Sequence, residues 1–208
     1  MPSFDATYVG ELIEAAKKEL RKRMRAVRAA HPGDALALRS AEVVARATAL
    51  EAFESAGSVA LFYPMEDRKE VDLRALDAVA RAAGKRVYYP FLEQRGEAWV
   101  SGLRLTSSLA ELAPRGSRFF EPSPGAEQAA RADVELVFVP ALAVAPSGHR
   151  LGYGAGFYDS LLPDVCPPGK AVAVAFDFQL LMELPTLPHD VPCDLVLTDK
   201  RTLVAAAG

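Results

Sequence analysis

The first long segment of the chain, residues 8–30, places apolar side chains at intervals of three and four positions. This spacing predicts a helix with one buried face. The members of the apolar stripe are Leu12, Ala16, Leu20, Met24 and Val27. Residues 31–33, His-Pro-Gly, end the helix, and Asp34 can cap a second helix over residues 35–53.

From residue 58 onward, short apolar runs alternate with helical patterns. The runs predicted as strands are residues 58–63, 86–89, 98–103, 135–139, 171–176 and 195–198, and the helices are residues 70–84 and 157–162. Pro90 is predicted to end the second strand. The strand at residues 98–103 is predicted to lie at a sheet edge, and the strand at residues 195–198 is predicted to be the last in the chain. Residues 114–132, rich in proline and glycine, predict an irregular connection. Alternating strands and helices indicate an α/β fold: a mostly parallel open sheet between helical layers, preceded by two N-terminal helices.

Composition is that of a soluble globular protein. The chain has 208 residues and a mass of 22.3 kDa, with 50% hydrophobic and 25% charged residues, and we expect one domain over residues 1–208. A net charge of −3 excludes a global basic field for nucleic acid. The apolar runs are too short to span a bilayer, and no signal-peptide pattern opens the chain. We therefore expect a cytoplasmic, monomeric protein without nucleic-acid or membrane partners.

The stretch richest in candidate chemistry is residues 150–159, Arg-Leu-Gly-Tyr-Gly-Ala-Gly-Phe-Tyr-Asp. Glycine at every second position, 152, 154 and 156, exposes the backbone to close approach by a ligand. Consecutive amides and the start of a helix near Phe157 form a concave anion site. Arg150 and Asp159 bracket it as a phosphate fork and a potential metal ligand. A tight turn that merely needs glycine is the alternative, and we favour a phosphate site.

The carboxyl ends of parallel strands place further polar residues at one rim of the sheet. The candidates there are Glu70, Asp159, His189, Asp190 and Asp194. Asp159 and Asp194 have the chemistry to hold Mg²⁺ together with phosphate oxygens, although either is equally a helix or loop cap.

Two further groups have both a functional and a structural interpretation. Tyr63, Met65 and Phe157 could form an apolar wall for a flat heterocycle, or could be core. Lys17, Arg21 and Arg28 lie on one side of the first helix and could reach a cleft, although a solvated cationic face is the more common outcome. A Walker-type loop, a dinucleotide fingerprint and a Ser-His-Asp order are all missing from the sequence.

The segment Val139-Pro140-Ala141-Leu142-Ala143, followed by residues 148–159, resembles the 5-formyltetrahydrofolate cyclo-ligase family. Weaker matches occur in family order across nearly the whole chain. They are Lys17-Lys18-Glu19-Leu20-Arg21, Glu70-Val71-Asp72, residues 84–90, Glu121-Pro122, Pro188-His189-Asp190 and Asp194. The chain departs from the family pattern at Ala141, at Val144-Ala145, at Leu73 and at Phe157. By the resemblance, these departures bear on the substrate pocket and on any role of the family's Asp that is missing here, and they leave the loop and both carboxylates intact.

The resemblance implies an enzyme that closes the ring of 5-formyltetrahydrofolate, giving 5,10-methenyltetrahydrofolate with ATP as co-substrate and Mg²⁺ as cofactor, through a phosphorylated formyl intermediate. The implied catalytic residues are Lys17, Arg150 and Tyr158, and Mg²⁺ goes to Asp159 and Asp194. ATP goes to Lys17, Arg21, Arg150, Leu151, Gly152, Tyr153, Gly154, Ala155, Gly156, Phe157 and Tyr158. The reduced folate goes to Tyr63, Met65, Glu70, Tyr153, Gly154, Ala155, Gly156 and Phe157. The alternatives are a non-catalytic relative with this fold and an enzyme for another small phosphorylated substrate.

Overall fold

The computed structural model of the protein describes residues 6–115 and 119–205. It contains five α-helices: α1 (Ala6–Ala29), α2 (Gly33–Thr48), α3 (Glu51–Ser55), α4 (Arg74–Ala82) and α5 (Phe157–Val165). Short 3₁₀ turns lie at Glu66–Arg68, Leu109–Glu111 and Asp177–Gln179. Within the described ranges, no helix is both long and apolar enough to cross a membrane.

Seven strands form the main sheet and four form two small ribbons. The main-sheet strands are β1 (Ser58–Ala60), β2 (Arg86–Arg95), β3 (Ala98–Thr106), β6 (Leu136–Pro140), β9 (Lys170–Val174), β10 (Leu195–Leu197) and β11 (Thr202–Val204). The ribbons pair β4 (Ala113–Pro114) with β5 (Phe120–Glu121), and β7 (Ala143–Val144) with β8 (Arg150–Leu151).

The sheet order is β11-β10-β9-β6-β1-β2-β3. The five inner strands run parallel, and each edge strand is antiparallel to its neighbour. Alternate strand residues face opposite sides, where helices α2, α3 and α4 cover one face and α5 covers the other. This confirms the predicted α/β class, because strands buried on both faces require helical layers above and below.

The strand order reverses direction between β1 and β6. From β1 the chain crosses through α4 to β2 on one side, whereas from β6 it crosses through α5 to β9 on the other. The two loops that leave these neighbouring strands therefore diverge and open a crevice at the carboxyl ends. This crevice is bordered by the polar segment after β1 and by residues 152–156, the glycine loop, which follow β6 and the β7–β8 ribbon.

Several boundaries differ from the sequence prediction. The second helix is interrupted at Leu50, whose backbone is extended and whose side chain packs against the core. The predicted helix over residues 70–84 begins only at Arg74, because the Asp72 carboxylate accepts the Arg74 N–H at 2.9 Å. Leu195–Leu197 is not the last strand: β11 follows after a turn whose amides donate to the Thr198 hydroxyl.

Pro90 does not end β2, which continues to Arg95. Strand β1 pairs with β2 only as far as Tyr88, so beyond that residue one edge of β2 is open. A proline has no N–H to donate, and it is tolerated where the ladder lacks a partner on one side. Pro90 lies opposite Leu103 in the long hairpin with β3, which confirms β3 as an edge strand.

The connection predicted as irregular over residues 114–132 carries the short ribbon β4–β5 and otherwise lacks regular elements in its described part; residues 116–118 lie outside the described residues.

Candidate active site at the sheet crevice

The glycine loop follows the β7–β8 ribbon and leads directly into α5. Residues 154–156 are exposed, so the loop is open to solvent. Gly154 has φ +97° and a Cβ there would lie 3.3 Å from the Arg21 guanidinium carbon, which makes glycine the fitting residue. Helix α5 begins after Gly156 without a side-chain cap, so its first amides have no side-chain acceptor. The loop thus has the exposed donors of an anion site.

A buried arginine braces the base of this loop. The Arg150 side chain is 4% exposed, and its guanidinium donates to Asp159 Oδ1 at 3.0 Å and to the Val191 carbonyl. The same Asp159 oxygen accepts the Val191 N–H at 3.1 Å. Arg150 and Asp159 therefore fasten the loop and the start of α5 to the segment before β10. The Asp159 Oδ2 makes no hydrogen bond within the described ranges, and it stays available to a ligand.

Helix α1 closes one side of the crevice. Met24 and the half-buried Leu20 pack on the β7–β8 ribbon. The Lys17 ammonium contacts both carboxylate oxygens of Asp190 at 2.6 and 2.8 Å, and the Lys17 side chain is 6% exposed. Burial raises the pKa of Asp190, but the bonds from Lys17 and the Leu187 N–H outweigh this and hold that pKa below its ordinary value. Arg21 donates from Nε to the Gly152 carbonyl at 3.2 Å and has no carboxylate partner among the described residues.

A buried polar cluster lies between the two diverging loops. The Glu70 Oε2 accepts the Met65 N–H at 2.8 Å, whereas Oε1 is buried without a hydrogen-bond partner. Burial raises the pKa of Glu70, and the Met65 N–H, the Tyr153 hydroxyl, Arg28 and Arg68 oppose that rise. An unsatisfied buried acceptor is costly, and a ligand donor would satisfy it.

The Tyr153 hydroxyl, close to this carboxyl group, accepts a hydrogen bond from Arg28. Burial, followed by the negative charge of Glu70, raises the pKa of Tyr153. Burial likewise raises the pKa of Tyr158, again with Glu70 as the second cause. Both phenols therefore remain protonated and keep an O–H to donate.

The apolar candidates are partly engaged with the protein. Tyr63 stacks on Phe120 with ring centroids 4.7 Å apart, and Phe157 meets Tyr158 edge-on at 5.0 Å. Met65 is half-buried at the start of the 3₁₀ turn. Tyr63 and Met65 lie on the loop after β1, and Phe157 lies at the start of α5, so the three come from both sides of the crevice.

The model of the 5-formyltetrahydrofolate cyclo-ligase family matches residues 13–199. The chain belongs to this family. The match covers most of α1, the glycine loop and the strands of the crevice. The resemblance drawn from the loop motif is therefore confirmed, as is the expectation of an enzyme of this family.

Named relatives and a solved structure agree with the family assignment. The 5-formyltetrahydrofolate cyclo-ligase of Mus musculus is 27% identical over 92% of this chain and 96% of its own length. The protein of that name from Mycolicibacterium smegmatis is 50% identical, over 41% of this chain and 44% of its own length. The NMR structure of Aquifex aeolicus 5,10-methenyltetrahydrofolate synthetase superposes with a TM-score of 0.78 at 31% identity, covering 92% of this chain and 94% of that one.

The departures from the family motif lie mostly in the interior. Ala141, Val144 and Ala145 are at most 3% exposed, and Leu73 is 1% exposed. Phe157 is half-buried at the start of α5. Four of the five therefore contribute to packing around the ribbon and the core rather than to the surface of the crevice.

A magnesium site can be tested on the donor set. In residues 6–115 and 119–205, no group of three or more acidic, histidine or cysteine side chains is arranged to hold a metal. Mg²⁺ that is bound mainly through phosphates needs only one or two carboxylates, and Asp159 Oδ2 fits this requirement. Asp194 differs: it precedes β10, at the amino end of the strands, and its Oδ2 accepts the Ala171 N–H at 2.7 Å. The rim expected from the sequence therefore does not include Asp194, and its metal role stays a prediction.

Three features of the site were not drawn from the sequence. Arg28 belongs to a basic row for which a solvated face is the more common outcome, yet it is 2% exposed and contacts Tyr153. The pairing of Asp190 with Lys17 joins residues 173 positions apart. Arg68 lies over the Tyr153 ring at 4.4 Å. The seven-residue spacing of Arg21 and Arg28 on one helix was a usable signal, whereas no local pattern marks Arg68 or the Asp190 pair.

Proposed function

We propose that the protein catalyses the ATP- and Mg²⁺-dependent cyclisation of 5-formyltetrahydrofolate to 5,10-methenyltetrahydrofolate, with release of ADP and phosphate. The observation that carries this proposal is the crevice itself. An exposed glycine loop with an uncapped helix start faces a buried carboxyl group that has one unpartnered oxygen. A polyphosphate fits the first feature, and a heterocycle with N–H donors fits the second.

The chemical problem is a formyl group that is a poor electrophile because amide resonance stabilises it. Transfer of the γ-phosphoryl group to the formyl oxygen converts that oxygen into part of a phosphate leaving group. The neighbouring folate nitrogen then attacks the same carbon and loses its proton, the C–O bond breaks, and phosphate departs. The protein mainly aligns the two substrates and stabilises the charge that develops on the phosphoryl oxygens.

Each part of the site has a role in this scheme. The loop amides and Arg21 bind the polyphosphate, and the brace of Arg150 and Asp159 holds the loop in position. The Glu70 carboxyl group and the backbone of residues 153–157 orient the folate, with Tyr63, Met65 and Phe157 beside it. The protonated Tyr158 is a donor toward the reacting phosphoryl group.

When bound, Mg²⁺ supplies positive charge to the phosphate oxygens, and Asp159 would hold it. Lys17 keeps α1 against the crevice through Asp190 and has a third ammonium hydrogen for a phosphate. We further propose a cytoplasmic, monomeric enzyme whose partners are its small-molecule substrates.

The direct test is the absorbance of the methenyl product. Purified protein mixed with 5-formyltetrahydrofolate should form it only when ATP and Mg²⁺ are both present. Gly154→Val should reduce turnover by about 10²-fold, because a branched side chain at positive φ distorts the loop that stabilises the phosphoryl charge.

The matched control is Gly125→Val, at a position with open space and no positive φ, which should behave as the native protein. If the native protein forms no product at any enzyme concentration, the proposed reaction is wrong.

A further inference from the structure

A second basic feature lies on the Glu70 side of the glycine loop. A cavity of about 180 Å³ opens between the C-terminal half of α1 and the 3₁₀ turn Glu66–Arg68. Its lining residues are Arg25, Arg28, Ala29, Asp67, Arg68 and Lys69. Four basic side chains and one acidic side chain therefore surround a space large enough for a small anionic group.

The three arginines of this cavity have no carboxylate of a described residue at ion-pair distance, although the charges of Arg28 and Arg68 act on the nearby Glu70. Arg25, Arg28 and Arg68 form no ion pair within the part of the chain that the structure describes. Instead, all three guanidinium groups surround the Tyr153 ring, at 5.8, 5.8 and 4.4 Å from its centroid respectively. Like charges gathered on one ring repel each other, so the arrangement favours an added anion.

Arg28 provides an independent sign of a missing ligand. It is 2% exposed, and its Nε is buried without a hydrogen-bond partner. Its other nitrogens reach the Tyr153 hydroxyl and, at 3.5 Å, the Ala141 carbonyl. Buried guanidinium groups are normally fully hydrogen-bonded or paired, so an unsatisfied one beside a cavity indicates an absent acceptor. Lys69 is not counted among the candidate anion ligands, because its ammonium already donates to the carbonyls of Ala29 and His31 at 2.8 Å.

We propose that the cavity between Arg25, Arg28 and Arg68 is a subsite for an oxyanion group of a substrate, either a carboxylate or a phosphate. Guanidinium groups bind both through paired N–H donors. The inference rests on the proposed function for its two sources, the carboxylates of the folate and the phosphates of ATP. It goes beyond that function because it assigns anion binding to three arginines that the proposed function does not use.

The test uses Arg25→Gln, Arg68→Gln and the double variant. The Arg25 side chain is exposed and that of Arg68 is half-buried, so these substitutions should leave the fold intact. The matched control is Arg23→Gln, an exposed arginine on the same helix without a hydrogen bond or ion pair in the described ranges. KM for each substrate and kcat are measured, together with calorimetric binding of 5-formyltetrahydrofolate, of its analogue without the glutamate tail, and of a non-hydrolysable ATP analogue.

The double variant should lower the affinity for one of the two substrates by about tenfold or more, which is the scale of a lost hydrogen bond to a charged group. Its kcat should stay within about twofold of that of the native protein. If only the affinity for 5-formyltetrahydrofolate falls, and the affinity for its analogue without the glutamate tail does not, the subsite binds the folate carboxylates. If only the affinity for the ATP analogue falls, the subsite binds phosphate. Unchanged affinity for both, or an equal loss in Arg23→Gln, overturns the subsite. Binding is measured without turnover, so an inactive native protein would refute the proposed reaction and still leave the subsite open to this test.

Discussion

Two groups of basic side chains border the crevice, and they differ in whether a carboxylate of the protein is paired with them. Lys17 and Arg150 each contact a carboxylate and are almost fully buried. Arg21, Arg25 and Arg68 have no carboxylate partner among the described residues, although they lie close to the same loop. The first group fastens elements together, and the second has charge to offer to a ligand.

This difference teaches that a basic residue near an anion site is not automatically an anion-binding residue. Removal of one member of a buried pair leaves the other charge uncompensated, so its effect on folding accompanies any effect on activity. Removal of a surface arginine that has no ion pair changes little except the affinity for an anion. Variants of both groups can therefore separate positioning from binding.

The largest effect is expected at the Arg150–Asp159 brace. Arg150→Ala and Asp159→Ala should each lower turnover by at least about 10²-fold, because each loosens the loop whose amides stabilise the developing charge. Arg150→Ala should also reduce the free energy of unfolding by about 1.5–3 kcal/mol, because it removes the charged hydrogen bonds to the partly exposed Asp159 and to the Val191 carbonyl. Turnover is followed through the methenyl product, and stability through denaturant unfolding.

The matched control is Arg86→Ala, whose pair with Glu127 is exposed on both sides. It should cost less than about 1 kcal/mol and leave turnover unchanged. Normal turnover in both brace variants would show that the loop does not need its brace.

A smaller effect is expected for the Lys17–Asp190 pair. A double-mutant cycle with Lys17→Met and Asp190→Asn should give a coupling energy of about 1–3 kcal/mol in denaturant unfolding. Because the pKa of Asp190 lies below its ordinary value of 3.8, the coupling is fully present above that pH. It should fall as pH decreases through the depressed pKa, where the carboxylate becomes protonated.

Lys18→Met, which changes an exposed lysine on the same helix, is the control and should shift the free energy of unfolding by less than about 0.5 kcal/mol. A coupling near zero at neutral pH would mean that α1 is held by its apolar contacts alone.

The smallest expected effect on stability is at Glu70, and its sign is opposite. Burial raises the pKa of this carboxyl group above 4.5, so the folded state loses stability as pH rises from 4.5 through the raised pKa. Glu70→Gln removes that loss, and its Tm should exceed that of the native protein by more at pH 7 than at pH 4. The same variant should bind 5-formyltetrahydrofolate more weakly.

Thermal unfolding at both pH values and calorimetry check these two statements, with the exposed Glu19→Gln as the control. A lower Tm for Glu70→Gln at pH 7 would contradict the burial argument.

Most of the fold could be predicted, because the signals are local. The runs that form β6 and β9 each lie within one segment and are buried almost throughout. The buried face predicted for α1 is confirmed only in part, because Met24 is buried whereas Leu12 is 52% exposed. The errors occurred where a neighbouring element decided the outcome. Pro90 lies inside β2 because β1 ends early, and β11 exists because β10 offers it an edge.

The candidate site was predicted less evenly. The glycine loop and Glu70 stand out as motifs, and the structure places them on the two sides of one crevice. Asp194 was grouped with them because it falls in a polar stretch, but it lies at the opposite end of its strand. Arg68 could not have been selected, since its contact with Tyr153 depends on how two loops pack.

The alternation of strands and helices, the glycine loop and the family can all be recognised from the sequence alone, because each depends on residues that are neighbours along the chain. Which charged side chains are paired with each other within the protein is known only from the tertiary structure. Lys17 meets Asp190 across 173 positions, whereas Arg28 is buried with an unpartnered nitrogen. Electrostatic pairing depends on distance and burial in space, and no local pattern of residue types contains either quantity.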